Sequence, residues 1–75
     1  MTNNITINMG KALKQLQIKY NTSNLDLQNY LGVSHPTIVK LRSDEHWKTD
    51  RLQSLAAYFG ITPVEFVGYA QSEVK

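Results

Sequence analysis

Cysteine is absent from the chain, which excludes disulfide staples and thiolate metal ligation and leaves helix packing or self-association to stabilise the fold. That suits a reducing cytosol. Histidine is scarce too: His35 and His46 stand eleven residues apart, without the i, i+4 spacing of a helical metal pair, so no zinc site is expected. No apolar run approaches the roughly 18 residues of a membrane span, and Met1-Thr2-Asn3-Asn4 does not open a charged leader. The expected location is therefore cytoplasmic. The sequence holds no Ser/His/acid set, no paired carboxylates and no phosphate loop, so neither an enzyme nor a cofactor nor a small-molecule ligand is expected. Internal repeats and low-complexity segments are missing. A chain of 75 residues forms one domain, because a fold this short removes only about 60% of its unfolded surface from water and cannot divide that between two cores.

Acids are also few, six against eight lysines and arginines, and the sequence pI is about 9.0. Lys11, Lys14 and Lys19 form an acid-free block, and Lys40, Arg42 and Lys48 gather near the middle, so local positive potential arises despite a net charge of only +2.

The order of apolar residues predicts mostly helices. Residues 1–8 are polar apart from alternating Ile5 and Ile7, the pattern of a short edge strand or an ordered arm. From Met9 the apolar positions Met9, Ala12, Leu13, Leu16 and Tyr20 make one helical stripe, with Asn8 as N-cap, until Asn21-Thr22-Ser23-Asn24 stops it. A second helix runs from Asn24 or Leu25 to Leu31, with Gly32 as a left-handed cap. Ser34 caps the next, where Pro36 is tolerated in the first turn while Ile38 and Leu41 point inward. Two helices joined only by Gly32-Val33-Ser34 turn sharply, as in a helix-turn-helix unit. Arg42 to Lys48 reads as a loop anchored by Trp47 packed on the fourth helix. That helix is capped by Thr49 or by Asp50, the latter completing a box with Gln53, and buries Leu52, Leu55, Ala56 and Phe59. Thr62-Pro63-Val64-Glu65 announces a fifth helix ending near Gly68, with Phe66 beside Phe59 in the core. Residues 69–75 read as a frayed tail.

From Leu27 to Phe66 the chain reads Leu-(x)3-Leu-Gly-Val-Ser-His-Pro-Thr-Ile-Val-Lys-Leu, a loop, then Leu-(x)2-Leu-Ala-(x)2-Phe-Gly-Ile-Thr-(x)3-Phe. This resembles the phage repressor and Cro type of helix-turn-helix domain over about forty of the 75 residues. The resemblance implies an all-α, five-helix, lambda-repressor-like domain over residues 1–75, with the motif at about 24–43, an arm at 1–8 and a tail at 69–75. It implies a transcription regulator on double-stranded DNA, a small phage Cro-like repressor of the bacterial cytosol or nucleoid that binds an operator. Two positions depart from the family: Gln28 replaces a small alanine where the motif helices cross, and Asp44 follows the reading helix where glycine, free to be left-handed, is frequent.

Carried over by position, the base readers are His35, Pro36, Thr37 and Lys40. Lysine donates to guanine O6 and N7, histidine donates or accepts, and Pro36 and the Thr37 methyl pack on thymine, each good contact giving roughly 1 to 3 kcal/mol of discrimination. Asn24, Ser34, Val39, Arg42, Ser43 and Lys48 are the expected backbone contacts, Val39 lying near the backbone or a thymine methyl. A homodimer is expected, because two reading helices related by a twofold axis reach half-sites about 34 to 36 Å apart. Val64, Val67, Tyr58 and Tyr69 are its first candidate surface and an Ile5/Ile7 strand paired across the axis its second. A DNA-binding antitoxin, and a protein-interaction module on the same five helices, are the competing functions.

Overall fold

Strand gives way to helix at Asn8, whose side-chain oxygen accepts the Lys11 N–H at 3.0 Å and caps α1 (Met9–Lys19). The computed structural model describes residues 4–74. Its elements run β1 (Asn4–Ile7), α1, α2 (Asn24–Leu31), α3 (His35–Ser43), α4 (Thr49–Phe59), α5 (Pro63–Ala70) and β2 (Gln71–Val74). The fold is the expected five-helix, all-α domain, with the two strands paired antiparallel as a small addition. Among the described residues, no helix is long and apolar enough to cross a membrane.

Local chemistry sets most of the boundaries. Ser23 caps α2 and forms a reciprocal capping box with Asp26, each partner closing one otherwise unpaired N–H. Ser23, read from sequence only as part of a stop, is thus also the cap of the next helix. Gly32 ends α2 at φ 68°, a conformation that costs a side-chain-bearing residue about 1 to 2 kcal/mol. Thr62 and Glu65 make the box expected at α5.

Several boundaries differ from the sequence reading. The cap of α4 is Lys48, held by its extended main chain with no side-chain bond, so neither Thr49 nor Asp50 caps and the Gln53 box does not form. Asp50 instead lies in the first turn, where a carboxylate complements the helix dipole. Helix α5 continues past Gly68 to Ala70, and residues 71–74 are a strand rather than a frayed tail. Strand β1 finds a partner within the same chain, Ile7 facing Gln71 and Asn4 facing Val74.

The core draws on every helix: Met9, Ala12, Leu13 and Leu16 of α1, Leu27 of α2, Ile38 and Leu41 of α3, Leu55, Ala56 and Phe59 of α4, and Phe66 and Ala70 of α5. Full burial of each large member contributes roughly 1.5 to 3 kcal/mol. Helix α1 is central, packing against both α3 and α5. Its first amides also fasten the loop behind α3, Met9 N–H donating to the Glu45 carbonyl at 2.9 Å and Gly10 N–H to that of Asp44 at 2.8 Å. Trp47 anchors the same loop, with contacts to α3 and α5. Its indole N–H donates to the Leu41 carbonyl at 3.1 Å and its ring lies 5.4 Å from that of Phe66. The end of α3 is therefore held from two sides.

Candidate nucleic-acid interface

Gly32-Val33-Ser34 is all that separates α2 from α3, and Val33 packs half-buried against the core there. With Ile38 and Leu41 buried, the helical period turns the opposite side of α3 outward. His35, Pro36, Val39, Lys40 and Ser43 are exposed, while Thr37 and Arg42 are half-buried. Ser34 occupies the N-cap position, but its hydroxyl makes no cap bond and lies 3.3 Å from that of Thr37. The first amides of α3 thus have no side-chain cap, unlike those of α2 and α5.

The residues expected at the DNA backbone separate into three places. Asn24 and Arg42 meet His35 along a cleft of about 740 Å³, whose wall also includes Lys14, Gln17 and Gln28. Val39, Arg42 and Ser43 line a shallower depression of about 290 Å³, again with Lys14. Lys48 lies elsewhere, beside Trp47 and Arg51 in a depression of about 550 Å³. Ser43 turns its hydroxyl onto its own helix, donating toward the carbonyls of Val39 and Lys40 at 3.1 Å. Of the acids near this face, Asp26 has a carboxylate oxygen occupied by the Ser23 N–H.

Inside the cleft is a polar cluster that sequence reasoning missed. The Gln17 side-chain amide nitrogen donates to the Thr22 carbonyl at 3.2 Å and to Asn24 Oδ1 at 2.9 Å, and Arg42 Nη1 donates to the same Oδ1 at 3.2 Å. Gln17 is only 7% exposed, the buried polar member of the core face of α1. The signal was available, since Gln17 follows Leu13 by four residues on the apolar stripe. The two departures also resolve. Gln28 stands half-buried at the cleft wall, leaving Leu27 as the one buried residue of α2. Asp44 is extended, at φ −77° and ψ 135°, so the chain leaves α3 without a left-handed residue.

The dimer candidates have different neighbours. Val64 and Val67 line an apolar depression of about 400 Å³ with Leu52, Pro63 and Gly68. Tyr58 packs its ring 4.8 Å from Tyr30, and the Tyr69 hydroxyl accepts Lys19 Nζ at 2.6 Å.

A family model of the Cro/C1-type HTH DNA-binding domain matches residues 12–72. The chain belongs to the Cro/C1-type helix-turn-helix DNA-binding family. A search of curated proteins and one of solved structures returned no match. The Cro/C1-type match begins within α1 and ends in β2, so α2 to α5 lie wholly inside it. This Cro/C1-type domain is a DNA-binding transcriptional regulator, with α2 and α3 as the two helices of its motif.

Proposed function

We propose that the domain is a small Cro-like repressor, of phage type and cytoplasmic, that binds an operator as a homodimer with the first turns of α3 in the major groove. One observation carries this reading: Ile38 and Leu41 are buried while Pro36 and Lys40 are exposed on the opposite side of the same helix and His35 is exposed at its flank. His35, Pro36, Thr37 and Lys40 read base edges. Asn24, Ser34, Val39, Ser43 and Lys48 follow the backbone, with Arg42 beside Asn24.

Selection of bound duplexes from a random pool tests the reading and supplies the operator sequence. On the selected duplex, Lys40→Ala should weaken specific binding by roughly 1 to 3 kcal/mol while leaving binding to a scrambled duplex nearly unchanged. Lys48→Ala should weaken both alike and lower the salt slope by about 0.9. Equal losses for Lys40→Ala on both duplexes would remove it from the readers. A chain that bound no duplex at any salt concentration would instead favour the protein-interaction module.

A further inference from the structure

The orientation of the Asn24 amide follows from its neighbours, because each can play only one hydrogen-bonding role. The Thr22 carbonyl can only accept, so the end of the Gln17 amide that faces it is the NH2 group. That same nitrogen lies 2.9 Å from Asn24, so Asn24 must present its oxygen there. The Arg42 guanidinium can only donate, and it meets the same oxygen. Asn24 Oδ1 is thus held by two donors, and the planar amide must carry Nδ2 on its other side. Among the described residues Nδ2 has no hydrogen-bond partner and is not among the buried unpaired atoms, so it is open to solvent, and Asn24 lines the cleft shared with Lys14 and His35.

We propose that Gln17 and Arg42 are positioning residues that lock the Asn24 amide with Nδ2 outward, so that α2 meets the DNA backbone as an N–H donor. The inference rests on the reading above, in which Asn24 is a backbone contact. Phosphate oxygens only accept, and an unrestrained asparagine would lose rotational freedom in turning its nitrogen to them. The lock also gives a reason for a glutamine in the core face of α1. Among the described residues Gln17 Oε1 and Arg42 Nε are buried without partners, and an apolar side chain at position 17 would avoid the first of these. Arg42 consequently acts on DNA through Asn24, from the opposite side of its amide.

Affinity and salt slope for a duplex selected from a random pool test this in the full chain with Asn24→Asp, Asn24→Ala, Gln17→Met and the Gln17→Met/Asn24→Ala pair. Asn24→Asp keeps the shape and the two donors, so Tm should hold or rise, while an anionic oxygen replaces the outward N–H and affinity should fall about tenfold or more. Asn24→Ala should weaken binding several-fold and leave the slope nearly unchanged, because a neutral amide displaces no counterion. Gln17→Met, which changes no charge, should weaken binding to a similar degree, and the pair should bind no worse than Asn24→Ala alone. Losses that multiply in the pair, or an Asn24→Asp chain that binds like the parent, would overturn the lock while leaving the DNA-binding reading intact. Should Gln17→Met fail to fold, the Asn24→Asp comparison decides. A parent chain that bound no duplex would overturn both.

Discussion

Gly10 sits where the first turn of α1 presses on the main chain leaving α3. A Cβ there would overlap the Arg42 carbonyl and come within 2.9 Å of the Asp44 carbonyl oxygen, which cannot move away without breaking the bond from Gly10 N–H. Glycine inside a helix is unfavourable by roughly 0.5 to 1 kcal/mol relative to alanine, so close approach, not helix formation, explains its presence. Gly10→Ala should therefore destabilise the fold, by about 3 kcal/mol, and lower Tm by more than about 10 °C. A thermal melt showing the small gain ordinarily seen for glycine to alanine in a helix would refute the contact. Nothing in the sequence marks this glycine as different in kind, because the carbonyls it accommodates are more than thirty residues further along the chain.

Among the elements, α1 and α5 are joined at their exposed edge by Lys19, whose ammonium donates to the Tyr69 hydroxyl and lies 5.5 Å and 5.2 Å from the ring centroids of Tyr20 and Tyr69. The bond to Tyr69, aided electrostatically by Tyr20, Tyr69 and Glu65, raises the Lys19 pKa above its ordinary value. A lysine held more tightly protonated in the folded chain contributes stability below its unfolded pKa and loses it as pH rises through the folded one. The Tm advantage of the parent over Tyr69→Phe should thus be constant through neutral pH and shrink above about pH 10.4. An advantage that grew with alkalinity would contradict the sign.

The same scale shows what the sequence could and could not disclose. Helices were legible wherever periodicity coincided with side-chain chemistry, as at Asn8, Gly32 and Thr62-Pro63. The start of α4 was not, since Lys48 caps through its main chain and leaves no residue-type signature. The alternation of Ile5 and Ile7 announced a strand, but its partner at the far end of the sequence carries no matching pattern. Inward Ile38 and Leu41 made the reading face of α3 legible, whereas the meeting of Gln17, Asn24 and Arg42 exists only once three helices have packed.

At the scale of the whole molecule, one chain presents one α3 and measures 45 × 23 × 22 Å along its principal axes. Reading two half-sites about 34 to 36 Å apart requires a second copy. Val64, 81% exposed, stands with Val67 on the apolar depression of α5 and is the residue on which such pairing depends in the proposed assembly. Val64→Glu should leave the fold intact and shift sedimentation equilibrium to monomer, with weaker binding to a two-half-site duplex than the parent. A parent chain that is already monomeric at high concentration and on DNA would end that assignment.

The pairing of β1 with β2 has one more consequence, for the order of assembly. Asn4 and Val74 lie opposite each other although nearly the whole chain separates them. Local motion does not bring such segments together, and closing so long a loop is entropically unfavourable until other contacts offset it. The helices supply those contacts, since the Asn8 N–H is bonded to the Ala70 carbonyl at 2.9 Å, immediately inside the strands. The sheet therefore acts as a clasp: it closes a ring whose shape the helices have already decided.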